Sequence, residues 1–101
     1  MKRIFLSLGF NKRPEKIVRD TINEAKKKLT SYCENEDVEF VHNYDYIGNN
    51  SVECLGEAIK KMSTCDIVCF INDWDCYTGC TVEHDICEFY NIPRAYIAVS
   101  I

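Results

Sequence analysis

A glutamate near the start of a candidate helix is well placed to do chemistry. Glu83 follows an apolar, strand-like run at 66–71, a polar loop and a Thr78-Gly79 turn. Because backbone N–H groups and the helix dipole favour negative charge there, we expect Glu83 to stay ionised in a partly buried cleft. A carboxylate held in this way can act as a nucleophile or stabilise an oxocarbenium ion. The spacing alone fits equally well an acidic residue that only complements the helix dipole.

Cysteine and histidine side chains around Glu83 raise the alternative of a metal site. Cys80, His84 and Cys87 share one face of the candidate helix, Cys76 precedes it, and thiolate and imidazole are zinc ligands. Their spacing matches no recognised zinc knuckle, so we interpret the cysteines as small buried hydrophobic residues and expect no metal ion. The sequence lacks the glycine-rich loops that bind dinucleotides or nucleoside triphosphates, and we therefore expect no bound cofactor.

Alternating strand and helix patterns position these residues. The sequence predicts strands at 2–8, 38–42, 66–71 and 94–100, and helices at 14–32, 51–62 and 79–90. This order predicts an α/β fold with three layers (α/β/α), a parallel four-stranded sheet and flavodoxin- or Rossmann-like topology. Ligands of such sheets bind beyond the carboxyl ends of the strands, so we expect the loops 7–13, 43–50 and 72–79 to form the site.

Length and composition limit the classes of protein that fit. The 101 residues predict a single domain over 1–101, and 47% hydrophobic with 28% charged residues is typical of a globular domain. A net charge of −4 makes duplex nucleic acid an unfavourable partner. The sequence has no apolar run long enough for a membrane span and no signal-peptide pattern, so we expect a cytoplasmic protein without a membrane partner. In that compartment its seven cysteines stay reduced.

The second half of the chain resembles the nucleoside 2-deoxyribosyltransferase-like superfamily. The resemblance covers 65–93, and the segments that carry it are Cys65-Asp66-Ile67 and the strand after it, Trp74-Asp75, Gly79-Cys80-Thr81-Val82-Glu83-His84 and Asn91-Ile92-Pro93. They are similar to the signature of a small branch, roughly Gly-Trp-Glu-x-Ser-x-Gly-Ala-x-x-Glu followed by Gly-Ile-Pro. The opening segment 4–10 matches the family's first strand and turn more loosely.

The resemblance implies roles for the matching positions. It makes Glu83 the nucleophile that attacks the anomeric carbon of a deoxyribosyl group. Thr78 and Gly79, before the helix, would hold the 5′ end of the sugar or a 5′-phosphate. An aspartate after the third strand assists at the base in this family, and Asp73 or Asp75 is the nearest match.

Four further residues complete the expected substrate site. Ser7 and Gly9, at the end of the first strand, are expected to join the sugar or phosphate cradle, together with Phe10. Trp74 either covers the end of the sheet or stacks on a base. The chain also departs from the family pattern, since Asp73 stands at a usual glycine and Tyr77 at a usual serine.

The resulting hypothesis is an enzyme that acts on the N-glycosidic bond of a nucleoside or nucleotide, as a deoxyribosyltransferase or a hydrolase. Two alternatives stay open. One is an NAD glycohydrolase similar to Toll/interleukin-receptor domains, which also carry a glutamate on the equivalent helix and begin with a strand like that at 3–7. The other is a non-catalytic module that binds a nucleotide or a protein. Because so small a domain leaves its site open, we expect a homodimer or larger homo-oligomer.

Overall fold

Strands and helices alternate along the chain, of which the computed structural model describes residues 1–34, 36–44 and 51–100. The strands are β1 (Lys2–Ser7), β2 (Val38–His42), β3 (Ile67–Ile71) and β4 (Arg94–Ile97), and the helices are α1 (Glu15–Tyr32), α2 (Ser51–Met62) and α3 (Thr78–Phe89). The strands form one sheet in the order β2-β1-β3-β4, with every pairing parallel. The predicted α/β fold with a parallel four-stranded sheet is confirmed.

The side chains of β1 and β3 divide the core between two faces of the sheet. Successive residues of a strand point to opposite faces, so alternate positions pack against different helices. One cluster contains residues of β1 and β3 packed with α1: Ile4, Leu6, Cys69 and Ile71 with Val18, Ile22, Ala25 and Leu29. The other contains the intervening strand residues packed with α2 and α3: Phe5, Val68 and Phe70 with Ala58, Met62 and Cys87. Helices therefore cover both faces.

The longest helix, α1, is amphipathic. Its buried residues recur three or four positions apart, which is the spacing of one helix face. Its solvent side carries the i,i+4 ion pairs Lys16–Asp20 and Glu15–Arg19. In the described part of the chain, no helix is both long enough and apolar enough to cross a membrane.

The strand order places a crevice between β1 and β3. From β1 the chain connects to β2 at one edge of the sheet, and from β2 it crosses back past β1 to form β3. The two strands β1 and β3 therefore lie side by side at the centre of the sheet. Ser7, the last residue of β1, is in register with Phe70 of β3. Connections leave these two strands in opposite directions, and ligands of open parallel sheets bind at this kind of position.

The last strand is shorter than the sequence predicts. β4 ends at Ile97 rather than Ser100, because the Asn72 side chain occupies the place of a further ladder partner. Asn72 Nδ2 donates to the Val99 carbonyl over 2.6 Å, and the Val99 N–H donates to Asn72 Oδ1 over 2.8 Å. A side-chain amide can imitate the backbone in this way because it has one donor group and one acceptor.

The predicted loop at 72–78 contains a short 3₁₀ helix, Trp74–Cys76. Asp73 precedes it in the left-handed conformation, with φ of 51°. The chain then enters α3 at Thr78, one residue earlier than predicted. Of the other predicted site loop, 43–50, residues 45–50 lie outside the described part of the chain.

Three of the seven cysteines are buried in the core. Cys69, Cys80 and Cys87 are buried, as predicted, whereas Cys76 is exposed, and all seven cysteines are free thiols. Burial raises the pKa of Cys69 to about 11 and that of Cys80 to about 12. These two buried thiols stay protonated at neutral pH and pack as small apolar groups.

Candidate functional site

A cavity of about 920 Å³ opens beyond the carboxyl end of β1, between the loop that follows this strand and the start of α3. Its walls come from the loop after β1 (8–12), from Asn43 with the first two turns of α2, and from 76–83 at the start of α3. This volume is within the range of pockets that hold small organic ligands. The cavity lies where the strand order predicts a ligand, and it is large enough for a nucleoside.

Glu83 forms part of the cavity wall and is fixed by the end of β1. Its side chain is 1% exposed, and Ser7 Oγ donates a hydrogen bond to Glu83 Oε1 over 2.7 Å. Ser7 is itself fully buried and lies behind Glu83 rather than on the wall. The hydrogen bond occupies one carboxylate oxygen and orients the carboxyl group.

Burial changes the ionisation of Glu83. Removal from water raises the pKa of this carboxyl group to about 7, and the Ser7 hydrogen bond, which favours the charged form, offsets this only in part. Among the described residues no cation pairs with Glu83. The sequence-based expectation that helix amides keep Glu83 fully ionised is therefore wrong, because Glu83 lies beyond the first turn of α3 and burial dominates. Charged and neutral forms coexist at neutral pH.

Polar groups that line the cavity next to Glu83 form a cavity floor, defined here as Asn43, Cys80 and Glu83. Burial raises the pKa of the Cys80 thiol, and the neighbouring Ser7, Glu83 and Asn43 side chains modify that shift. Asn43 Nδ2 donates to the Leu8 carbonyl over 3.2 Å. Sequence reasoning selected the loop after β2 but missed Asn43 itself. Its signal is its position as the first residue after β2, at the carboxyl edge of the sheet.

Several residues predicted from the sequence do meet at the cavity. Those that line it are Gly9, Phe10, Thr78, Gly79 and Glu83. Asp73, Trp74 and Asp75 are absent from the described lining, which reaches the 3₁₀ helix only at its last residue, Cys76. The structure thus brings Glu83 to the proposed sugar cradle and does not bring the two candidate aspartates to it.

Trp74 packs against the opposite side of α3. Its ring stacks on His84 with centroids 4.3 Å apart and an angle of 21° between the planes. His84 Nδ1 lies 3.0 Å from Glu88 Oε1, and His84 Nε2 lies 2.5 Å from Tyr96 Oη. Trp74 therefore covers the end of the sheet, which is one of the two roles expected for it.

The alternative zinc ligands do not converge. Cys80 and Cys87 are buried towards the sheet, whereas His84 lies in the aromatic cluster. Among the described residues, the group with ligand atoms close enough for one metal ion is His84, Asp85 and Glu88. Two of these three are exposed acidic residues, an arrangement common in proteins that bind no metal at that position.

Tyr77 closes one side of the cavity by packing on Gly9. A Cβ atom at Gly9 would lie 2.0 Å from Tyr77 Cδ2, far inside van der Waals contact. Only glycine allows this close approach of the ring to the backbone. Since both residues line the cavity, the contact joins the end of β1 to the start of α3.

The start of α3, which forms part of the cavity wall, favours anions. The first N–H groups of α3 have no acceptor within the helix, and the preceding residue, Tyr77, provides no side-chain cap. Thr78 and Gly79, in this first turn, line the cavity together with Lys12. A helix N-terminus beside a lysine attracts negatively charged groups such as phosphate.

Comparison with known protein families, with curated protein sequences and with solved structures gives no match to this chain.

Proposed function

We propose that the protein cleaves or transfers the N-glycosidic bond of a nucleoside or nucleoside monophosphate, with Glu83 as the nucleophile. The observation that carries the proposal is a buried carboxylate, oriented by Ser7, in the wall of a cavity large enough for a nucleoside. The role follows the resemblance to the nucleoside 2-deoxyribosyltransferase-like superfamily. Strongly shifted carboxyl groups in clefts are typical of catalytic acids, bases and nucleophiles.

The proposed reaction has two steps. The Glu83 oxygen that does not accept from Ser7 attacks the anomeric carbon, the bond from that carbon to the base breaks, and the base leaves with the electron pair and takes up a proton from solvent. Water or a second base then attacks the anomeric carbon and releases Glu83. Attack requires the charged carboxylate, so we expect the rate to rise as the pH increases through about 7.

The 5′ end of the substrate's sugar would lie against the start of α3. Thr78, Gly79 and Lys12 offer N–H groups, a hydroxyl group and a positive charge on the cavity wall. These groups fit the 5′ end of a sugar and would bind a 5′-phosphate more tightly than a 5′-hydroxyl. As part of the same proposal we expect a cytoplasmic homodimer or larger assembly, which sedimentation velocity in reducing buffer would test.

A binding module is the second candidate function. Asp73 and Asp75 do not line the cavity with Glu83, so they provide no proton donor for the leaving base. A substantial fraction of Glu83 is neutral at physiological pH. Both features suit a cavity that binds a nucleotide without cleaving it.

The test measures base release from deoxynucleosides, ribonucleosides, their monophosphates and NAD, by chromatography in reducing buffer. Glu83→Gln keeps the shape of the side chain and removes its charge, so we expect a loss of roughly three orders of magnitude or more in rate. Glu88→Gln is the matched control, because it makes the same change on an exposed face of α3 and should leave base release unchanged. Binding of a nucleotide without base release, with Glu83→Gln changing only the melting temperature, would support the binding module instead.

A further inference from the structure

Tyr77 presents an aromatic ring to the cavity. Its side chain is half-buried, and Tyr77 and Phe10 are the two aromatic residues of the described lining. The Phe10 ring already packs edge-on against Tyr44, with centroids 5.4 Å apart and an angle of 70° between the planes. The Tyr77 ring makes no contact with another aromatic ring among the described residues.

The contact with Gly9 fixes the orientation of the Tyr77 ring. A Cβ atom at Gly9 would lie 2.0 Å from Cδ2, 2.2 Å from Cε2 and 2.3 Å from Cγ of Tyr77. Three neighbouring ring atoms are almost equidistant from this point, so the point lies over the flat face of the ring, because a point beyond the edge would be clearly farther from two of them. Gly9 therefore covers one face of the ring, and the part that lines the cavity belongs to the opposite side.

An aromatic face held in this way favours one class of ligand. The face of the ring carries negative partial charge, which disfavours a phosphate group. Nucleobases stack on such faces, and a ring that is already fixed loses little freedom when they do. Trp74, which the sequence suggested for stacking, packs on His84 instead.

Tyr77 and the anion-binding groups lie on different sides of the start of α3. Tyr77 packs on Gly9, in the loop after β1, whereas a Cβ atom on Gly79 would contact Leu55 Cδ1 of α2 at 3.9 Å. A nucleotide with its sugar at Glu83 can therefore place its 5′ end at Gly79 and its base at Tyr77, without the two groups competing for the same space.

We infer that the free face of Tyr77 is the platform on which the base of the substrate stacks. This inference rests on the proposed function, because it takes a nucleobase as the aromatic part of the ligand. Every base has a π face, so the platform should accept all four bases, and it should bind purines more strongly because they cover more of the ring. A serine at this position, as in the family that the chain resembles, would offer no platform.

The experiment measures binding of AMP, GMP, CMP and UMP by calorimetry, on protein that carries Glu83→Gln so that no ligand is consumed. Adding Tyr77→Leu removes the ring and should weaken binding of AMP and GMP by roughly 5- to 150-fold, with a smaller effect on CMP and UMP. Adding Tyr77→Phe instead keeps the ring and should leave the affinities nearly unchanged. Tyr90→Leu makes the same change at an exposed tyrosine that does not line the cavity, and should have no effect.

A second readout separates stacking from a structural role of Tyr77. In NMR spectra at saturating AMP, the base protons should shift upfield, because they lie over the face of an aromatic ring. The shift should persist with Tyr77→Phe and disappear with Tyr77→Leu. A general loss of structure would weaken all four nucleotides equally and would not select the base protons.

Three results would overturn the inference. They are an equal loss of affinity for all four nucleotides with Tyr77→Leu, a loss with Tyr77→Phe as large as that with Tyr77→Leu, and no binding of any nucleotide to either the Glu83→Gln or the wild-type protein. Base release by the wild-type protein, measured on the same nucleotides, tests the proposed function separately. Stacking without base release would support the role of Tyr77 and reject catalysis, whereas base release that does not depend on Tyr77 would do the reverse.

Discussion

Strand β1 carries Arg3 near its amino end and Ser7 at its carboxyl end, and each side chain contacts a glutamate from elsewhere in the chain. Arg3 Nη1 lies 2.7 Å from Glu39 Oε1, and Arg3 Nη2 donates to Thr64 Oγ1 over 3.0 Å. The Glu39 side chain remains 46% exposed. At the other end Glu83 is 1% exposed and receives a hydrogen bond from neutral Ser7.

The difference shows that one strand can hold one carboxylate in a partly exposed ion pair and bury another beside a neutral hydroxyl group. At the amino end, the carboxylate has both a cation and water to stabilise its charge. At the carboxyl end the carboxylate has lost most of its water and has no cation among the described residues. A buried acid arranged in this way lowers stability at neutral pH, which is typical of groups kept for function.

The largest expected effect on stability is its pH dependence through Glu83. The unfolded carboxyl group titrates near pH 4.5 and the folded one near pH 7, so between these values the unfolded state releases a proton that the folded state keeps. The free energy of unfolding should therefore fall as pH rises across this interval, by roughly 3 kcal/mol. Urea unfolding of wild type and Glu83→Gln measures it, because the variant lacks this contribution. A difference between the two proteins that does not change with pH would contradict the raised pKa.

The second-largest effect on stability is expected at the contact between Gly9 and Tyr77, next to the carboxyl end of β1. Gly9→Ala places a methyl group inside the Tyr77 ring, so the ring or the end of β1 must move. We expect a loss of about 2 kcal/mol in unfolding free energy, together with weaker ligand binding. The double variant Gly9→Ala with Tyr77→Ala should recover much of the stability. Failure of the second change to rescue the first would mean that the strain lies elsewhere.

A smaller effect is expected from the Ser7 hydroxyl group, which lies behind Glu83. Ser7→Ala removes the hydrogen bond that favours charged Glu83, so the pKa of Glu83 should rise further. The pH at which base release reaches half of its maximum should move upwards, and stability above that pH should fall by about 1–2 kcal/mol. Thr21→Ser, which trims another buried hydroxyl residue on the far side of the sheet, is the control. An unchanged pH profile would show that Ser7 does not influence Glu83.

The smallest effect is expected at the amino end. Glu39→Gln removes the charge that pairs with Arg3 and keeps the shape of the side chain. Because the pair is partly exposed to water, unfolding free energy should change by less than about 1 kcal/mol, and less still in high salt. Base release should not change. If Glu39→Gln lowered the unfolding free energy as much as is expected for Gly9→Ala, the contrast between the amino and carboxyl ends of β1 would be wrong.

Periodicity in the sequence predicted the elements of the fold and their order. The buried run in β3 and the apolar positions of α1, spaced three or four residues apart, are signals that a single sequence carries. Strand ends were predicted less well. The early end of β4 depends on a side chain, Asn72, that imitates a backbone partner, and no periodic pattern reveals such a substitution.

The candidate site was predicted in part for a similar reason. Glu83 was predicted from its place near the start of α3 together with the family resemblance. The direction of Trp74 and its two aspartate neighbours depends instead on the left-handed Asp73 and the 3₁₀ helix. The ionisation of Glu83 depends on how closely α3 packs against β1. Asn43 was missed because its place in the cavity wall depends on the contact between the end of β2 and the loop after β1.

The hydrogen bond between Ser7 and Glu83 joins residues 76 positions apart in the chain. Contacts of such long range require a large loop to close, and they form late unless local structure has already brought the ends together. During refolding, helical circular dichroism can therefore recover before the Glu83 carboxyl group is oriented. Activity would then report on the last stage of assembly, the docking of α3 onto the end of β1, and a partly folded chain would carry every residue of the site without its function.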